Sequence, residues 1–237
     1  MKNLSVRTPA SLSLSVDDAI RSRRSVRQFL PTPVDRQLVE QILELSARAP
    51  SGHNTQPWRV HAVSGDALAT LRDSLCRSFL DDEEAARHAP AFDSYPAEWT
   101  EPYLGRRRQV GHDMYGILGI PRGDMEGMRA QAARNFEFFG APLALIFTAE
   151  RSMLPGSALD VGMFMQNVML AARSHALDSC PQAALARFHR IIARDLSLPP
   201  DEVVLCGMSL GYADTKADIN RLETTREQLA GFVAFHT

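Results

Sequence analysis

The stretch from Leu159 to Ala176 is apolar almost all round a helix, and it constrains the fold more than any other segment. Its valine, methionine, phenylalanine and leucine side chains leave no continuous polar face for solvent. A helix of this kind must be enclosed, either by its own domain or by a second subunit. The apolar run Leu143 to Thr148 precedes it closely and predicts a buried strand.

The other periodic segments interleave helices with strands. Ser15 and Asp18 form a capping box that predicts a helix running to about Arg23, and a second helix is expected from near Asp35 to Pro50. The second helix should bury Leu38, Val39, Ile42 and Leu45. Further strands are predicted at Trp58 to Val63 and at Val203 to Tyr212. A helix that carries Leu68, Leu71 and Leu75 is predicted after Ser64. Two more helices are expected, one from His189 to Leu196 and one from about Arg226. This mixture indicates an α+β or α/β fold.

The domain organisation is expected to be simple. Residues 1–14 are rich in Ser, Thr and Pro and predict a flexible N-terminal arm, whereas residues 15–237 predict a single domain. Residues 81–128 have mixed charges and irregular proline-containing stretches. A region of that length usually serves as a lid or cover insertion.

Composition excludes several classes of partner. The net charge of -2 gives no general attraction to nucleic acid or to an anionic membrane. Three widely spaced cysteines predict neither a disulfide framework nor a zinc site, and the seven histidines lack metal-ligand spacing. Because the N-terminus lacks a signal-peptide core and no run reaches transmembrane length, we expect a cytoplasmic protein.

Four arginines, Arg21, Arg23, Arg24 and Arg27, lie within seven residues at and beyond the end of the first predicted helix. Guanidinium groups bind phosphate through paired hydrogen bonds, and Ser25 adds a hydroxyl donor. Taken alone, such a cluster is more often a solvated surface. The residue types alone therefore allow both a phosphate-binding site and a solvated surface.

Two further segments could carry chemistry. The loop from Pro50 to Trp58 holds two prolines, a glycine and short polar residues, so it is either a rigid donor-bearing loop or a plain connection. The turn around Ala183 has small side chains that would let a planar cofactor lie against the backbone. Cys180 beside it has no neighbouring base, which favours an inert, half-buried thiol over a nucleophile.

The segment Gly207 to Gly211 contains the G-x-S-x-G pattern of a hydrolase nucleophile elbow. That motif requires a strand, a sharp turn and then a helix. Here the strand continues through Tyr212 into an acidic turn at Asp214, and no helix follows. The pattern therefore gives little support to a hydrolase.

Four segments in this order resemble the nitroreductase family of flavin enzymes: Arg23-Arg24-Ser25-Val26-Arg27, Pro50 to Trp58, Cys180-Pro181-Gln182-Ala183, and Gly207 to Tyr212 with the later Arg226. The likeness spans about residues 15 to 230. The central region ending at Arg134 to Pro142 is similar to a branch that includes nitrobenzoate and nitrobenzene reductases.

The resemblance implies an α+β fold with a central mixed sheet flanked by helices, in an intertwined homodimer with two FMN sites at its interface. Arg23 and Arg226 would hold the FMN phosphate, beside Ser25 and the Arg24 backbone, and Arg27 would lie near flavin N1 and O2. Ala183 would offer its N–H to flavin N5, Pro181 and Gln182 would shape that wall, and Pro50, Ser51, Gly52 and Asn54 would come from the partner subunit. Several family members have a basic residue where this chain has Thr224.

The activity implied is reduction of nitroaromatic, quinone or related acceptors by NADH or NADPH, through ping-pong hydride transfer. The flavin supplies the redox chemistry, Arg27 gives electrostatic support, and no side-chain acid is required. The same fold also hosts dehalogenation, ene reduction and flavin destruction. A flavin-binding module without turnover is the alternative from another functional class.

Overall fold

A computed structural model describes residues 14–92 and 95–237. The predicted N-terminal arm therefore lies, apart from Leu14, outside the described residues. No helix in the described ranges is long and apolar enough to cross a membrane.

The centre of the fold is a sheet whose strands are β1 (Arg59–Ser64), β2 (Leu143–Glu150), β3 (Asp178–Gln182) and β4 (Glu202–Gly211). The strand order is β1-β2-β4-β3, and every neighbouring pair is antiparallel. The α+β class is confirmed, but the sheet is not mixed as expected. Parallel pairing in the described residues is confined to one bridge between Ser25 and Ser179, because the chain after the first helix accompanies β3 only briefly.

Eight α-helices surround this sheet in the described residues. They are α1 (Val16–Ser22), α2 (Arg36–Ser46), α3 (Gly65–Leu80), α4 (Asp82–Ala86), α5 (Tyr103–Ile117), α6 (Met125–Ala133), α7 (Ser157–Ser174) and α8 (His189–Asp195). Short 3-10 helices fill several connections, including one at Ala183–Phe188 directly after β3.

The predicted start of α1 is confirmed, because the Asp18 N–H donates to the Ser15 hydroxyl over 3.1 Å. In α2 the predicted Leu38, Val39 and Ile42 are buried, but Leu45 is 58% exposed. Ser46, four residues after Ile42, takes the next buried position and donates its hydroxyl to the Ile42 carbonyl. The prediction for Leu45 was therefore wrong by one position on the helix.

The apolar helix α7 packs with α2 against one face of the sheet. Val161, Phe164 and Val168 are buried there, whereas Leu159 on the same helix is 72% exposed. The chain's own domain thus encloses only part of α7. An apolar surface remains on its outer side.

The opposite face of the sheet is covered by α3 and α8. The predicted helix after Ser64 is confirmed as α3, and its Leu68, Leu71 and Leu75 are buried in a cluster with the rings of Phe136 and Phe188. Strand β2 is buried along almost its whole length because it lies between the two clusters. This accounts for its continuous apolar sequence.

The end of the chain differs from its prediction. No α-helix begins near Arg226, and a 3-10 turn, Leu229–Gly231, follows instead. The Arg226 guanidinium donates to the carbonyls of Thr224 and Thr225, which would otherwise be available to a helix beginning there.

The region 81–128 contains α4, α5 and the start of α6, and α5 buries none of its side chains.

Candidate functional site

A cleft of about 980 Å³ lies between the segment after α1 and the chain's C-terminal segment. The structure thereby brings the N-terminal arginine cluster and Arg226 to one site, although they are almost a full chain length apart. We call this space the arginine cleft, and the charged and hydroxyl side chains that line it are Arg21, Ser22, Arg23, Arg24, Ser25, Arg27, Arg173, Asp178, Thr215, Glu223, Thr224 and Arg226.

Arg23 and Arg226 are the pair that defines the charge of the cleft. The pKa of Arg23 is lowered first by partial burial and then by the positive charge of Arg226. Within the described residues, neither side chain forms an ion pair with a carboxylate. The two guanidinium groups therefore carry a local excess of positive charge that no ion pair in the described residues compensates.

Arg173 contributes less positive charge than its position suggests. Its guanidinium pairs with the Asp178 carboxylate over 2.7 Å. Burial raises the pKa of Asp178, while Arg173 and Arg24 oppose that shift. Because Asp178 compensates Arg173, the excess positive charge belongs to the N-terminal cluster and Arg226. Sequence reasoning missed this pair, whose members come from the end of α7 and the start of β3.

The backbone of the arginine cluster is fixed by two contacts. The Val26 N–H donates to the Ser179 carbonyl over 3.0 Å, and the Val26 side chain is fully buried. The Arg27 N–H donates to Asn220 Oδ1 over 2.8 Å, and the Asn220 amide also donates to the Gln28 carbonyl. Arg23, Ser25 and Arg27 on this fixed segment all line the cleft. No local sequence signal identified Asn220.

Thr224 supports Arg226 directly. The Arg226 Nη1 group donates to the Thr224 hydroxyl over 2.7 Å and to the Thr224 carbonyl over 3.1 Å. Thr224, at the position where the resemblance would allow a basic residue, therefore supplies a hydrogen-bond acceptor that orients Arg226.

The end of β3 places the predicted Pro181, Gln182 and Ala183 outside the arginine cleft. The Gln182 side chain is 2% exposed, donates to the Asn135 carbonyl and accepts from the Ser209 hydroxyl. Only the Gln182 backbone is therefore available to shape a ligand wall. Ala183 begins a 3-10 helix that no side chain caps, so its first N–H groups lack acceptors within the helix.

Two alternative catalytic assignments fail on burial. Ser209 of the G-x-S-x-G pattern lies fully buried within β4, and its hydroxyl donates to the Phe138 carbonyl and to Gln182. Cys180 is 3% exposed, more deeply buried than expected, and burial raises the pKa of its thiol to about 11. Neither group can act as a nucleophile toward a ligand at neutral pH.

The loop with Pro50, Ser51, Gly52 and Asn54 does not reach the arginine cleft of its own chain. Residues Gly52 to Gln56 are all exposed, and positive φ angles occur at His53 (50°), Asn54 (58°) and Gln56 (47°). The loop is held at its base, where the Gly52 N–H donates to Asp160 Oδ2 over 3.3 Å. Exposed, strained and well-anchored backbone is typical of functional loops.

The side chains of the arginine cleft are of the types that bind phosphate. Arginine and serine side chains face the cleft, and N–H groups without helical acceptors occur at the small residue Ala183. The described residues contain no group of three His, Cys, Asp or Glu side chains that could hold a metal ion.

Comparison with known proteins agrees with this geometry. The chain is 39% identical to 4-nitrobenzoate reductase of Pseudomonas putida, over 95% of this chain and 97% of that protein. It is 37% identical to nitrobenzene nitroreductase of Ectopseudomonas oleovorans, over 93% and 96% of the two chains. The crystal structure of the FMN and NADPH-dependent nitroreductase NfnB from Sphigopyxis sp. strain HMH superimposes with a TM-score of 0.90 at 37% identity, covering 94% of this chain and 100% of that one. A model of the Nitroreductase family matches residues 20–212, and the chain therefore belongs to the nitroreductase family.

Proposed function

We propose that the protein is an FMN-dependent oxidoreductase that uses NADH or NADPH to reduce nitroaromatic or quinone-like acceptors by a ping-pong mechanism, and that it acts as a homodimer. The observation that carries this proposal is the uncompensated pair Arg23 and Arg226 at the positions where the family resemblance puts the FMN phosphate. The related proteins, which are named as a nitrobenzoate reductase and as nitroreductases, support the reaction class.

The phosphate would bind between Arg23 and Arg226, with the Ser25 hydroxyl and the Arg24 N–H as further donors. This assignment explains why two arginines approach each other without a carboxylate, since a phosphate supplies the missing negative charge. Thr224 would hold Arg226 in place for that contact.

The ring of the cofactor would lie between Arg27 and the Ala183 turn. When bound, FMN supplies the two-electron transfer between the nicotinamide and the acceptor. The Asn220 contact fixes the Arg27 backbone, so the guanidinium can offer a preorganised charge to flavin N1 and O2. Ala183 would donate to N5, beside the backbone of Pro181 and Gln182.

A second copy of the chain would complete the site. Pro50, Ser51, Gly52 and Asn54 would reach the partner's cofactor, because their exposed loop does not line the cleft of its own chain. The outer side of α7 and the C-terminal Phe232 and Phe235, which are 67% and 81% exposed, leave apolar surface for such a partner.

We also propose that residues 15–237 form one domain and that residues 81–128 act as its lid. Helix α5 buries no side chain, and its Arg106 forms an ion pair with Glu227 in the C-terminal segment. The lid is thus connected to the same segment that carries Arg226.

The test is made on purified protein. It should be yellow and release FMN rather than FAD on denaturation, NADH or NADPH should bleach it without oxygen, and nitrobenzene should restore the colour. Colourless protein that fails to bind added FMN would refute the proposal. Bound FMN that neither nucleotide reduces would identify a non-catalytic module.

Initial-rate kinetics test the ping-pong mechanism. Varying NADPH at several fixed nitrobenzene concentrations should give parallel double-reciprocal lines, as ping-pong kinetics require, and intersecting lines would exclude that mechanism. Sedimentation should show a dimer, whereas an FMN-loaded, active monomer would exclude the shared site.

A further inference from the structure

A second cavity, of about 320 Å³, lies beside the end of β3 and is separate from the arginine cleft. Its aromatic wall consists of Phe79, Phe92, Tyr95 and Phe136, and Ala183 and Ala184 line it from the other side. We refer to it as the aromatic cavity. A mostly apolar space of this volume fits one substituted benzene ring.

Two rings of the aromatic cavity contact each other, and a third contacts a tryptophan beyond the cavity wall. The Phe79 and Phe136 ring centroids are 4.6 Å apart. Tyr95 contacts Trp99 at 5.6 Å between centroids, and the Arg107 guanidinium lies 5.2 Å from the Trp99 ring. The aromatic surface thus continues from the cavity to a positively charged group on α5.

Arg187 places a cation in the wall of the aromatic cavity itself. Its Nε donates to the His88 carbonyl over 3.4 Å and its Nη2 to the Ala85 carbonyl, while its guanidinium lies 5.5 Å from the Phe188 ring. These partners are all uncharged. In the part of the chain that the structure describes, no carboxylate lies within 4 Å of Arg187, and its Nη1 has no hydrogen-bond acceptor.

We propose that the aromatic cavity binds the ring of the acceptor and that Arg187 makes the enzyme prefer nitroaromatic carboxylates over neutral nitroaromatics. The inference rests on the proposed function, because Ala183 in the cavity wall is the residue expected to face flavin N5. A carboxylate on the ring would supply the counter-charge that Arg187 lacks and would accept from Nη1. The related proteins are named for both an anionic and a neutral compound, and Arg187 favours the anionic class.

Binding of unreactive analogues tests the proposal without turnover. Benzoate and benzamide have nearly the same shape but differ in charge, and calorimetry on the FMN-loaded protein measures both. Benzoate should bind at least about tenfold more tightly at low salt, the size expected of one charge-assisted hydrogen bond. The kcat/KM values for 4-nitrobenzoate and 4-nitrobenzamide should differ in the same direction.

Variants assign the preference to one side chain. In Arg187→Gln the ratio of benzoate to benzamide affinity should fall to about one. Arg190→Gln is the matched control, since it removes an exposed positive charge three positions along that does not line the cavity, and the ratio should persist. Because Arg187 also holds the end of α4, Arg187→Lys is a second variant, which keeps the cation and should keep most of the preference.

Equal affinity of the wild-type protein for benzoate and benzamide would overturn the proposal whatever the variants do. A preference that survives in folded Arg187→Gln would overturn it as well. In both cases FMN binding and nitrobenzene reduction would still stand, so the proposed function would remain. Failure to bind FMN or reduce nitrobenzene would instead refute the proposed function itself.

Discussion

Replacing Arg23 with alanine separates its contribution to ligand binding from its contribution to folding. The Arg23 side chain is partly buried, and its pKa is lowered by burial and by Arg226. A lowered arginine pKa means that the folded protein disfavours the charged form, so at neutral pH the charge of Arg23 opposes folding of the ligand-free protein. Removing it should leave the ligand-free stability unchanged or slightly raised.

The same substitution should weaken the binding of FMN, although it does not weaken the ligand-free fold. A charge-assisted hydrogen bond to phosphate contributes about 1.5–3 kcal/mol. Losing it should therefore raise the dissociation constant of FMN roughly 10- to 150-fold. Arg226→Ala should behave similarly, because Thr224 leaves no second basic residue beside it. The two effects together, weaker binding without loss of stability, distinguish a binding residue from a structural one.

The dissociation constant is measured by flavin fluorescence titration, and the melting temperature is measured with and without FMN. Arg77→Ala is the control, since Arg77 is exposed on α3 and does not line the arginine cleft. It should change neither quantity. An unchanged FMN affinity in both Arg23→Ala and Arg226→Ala would refute the phosphate assignment, and a large loss of ligand-free stability would show that Arg23 is structural.

Two further predictions concern the flavin potential and the thiols. Arg27→Met should still bind FMN but lower the midpoint potential of the bound flavin and slow its reduction by NAD(P)H, whereas Arg27→Lys should keep most of the function; an unchanged potential would exclude the electrostatic role. Burial raises the pKa of Cys76, Cys180 and Cys206 to about 11, so labelling of the native thiols should be slow at pH 8 and accelerate about tenfold per pH unit toward pH 11. Because these pKa values exceed the usual 9.0, the thiols' contribution to stability should be complete below pH 9 and decline as the pH rises to 11. Rapid labelling of the native protein at pH 8 would contradict the burial of the thiols.

The sequence predicted most of the local structure because its signals lie within a few residues of one another. The Ser15 cap and the buried stripe of α3 follow from side chains three or four positions apart, and the apolar run of β2 identifies a strand between two layers. Leu45 was misplaced because periodicity alone does not decide which edge of a helix faces the core. The helix expected near Arg226 failed because a side chain competes there for the backbone carbonyls.

The sequence by itself determined the family, through the order of its motifs, and the residue types that could bind a phosphate. Only the tertiary structure decided that Arg23 and Arg226 meet without a carboxylate, that Asp178 compensates Arg173, and that the Gln182 side chain is committed to Ser209. Such facts depend on contacts between distant segments, and charge compensation and burial are properties of those contacts. A linear pattern cannot show them, because the same arginine is a solvated surface group or an anion ligand according to which side chains fold beside it.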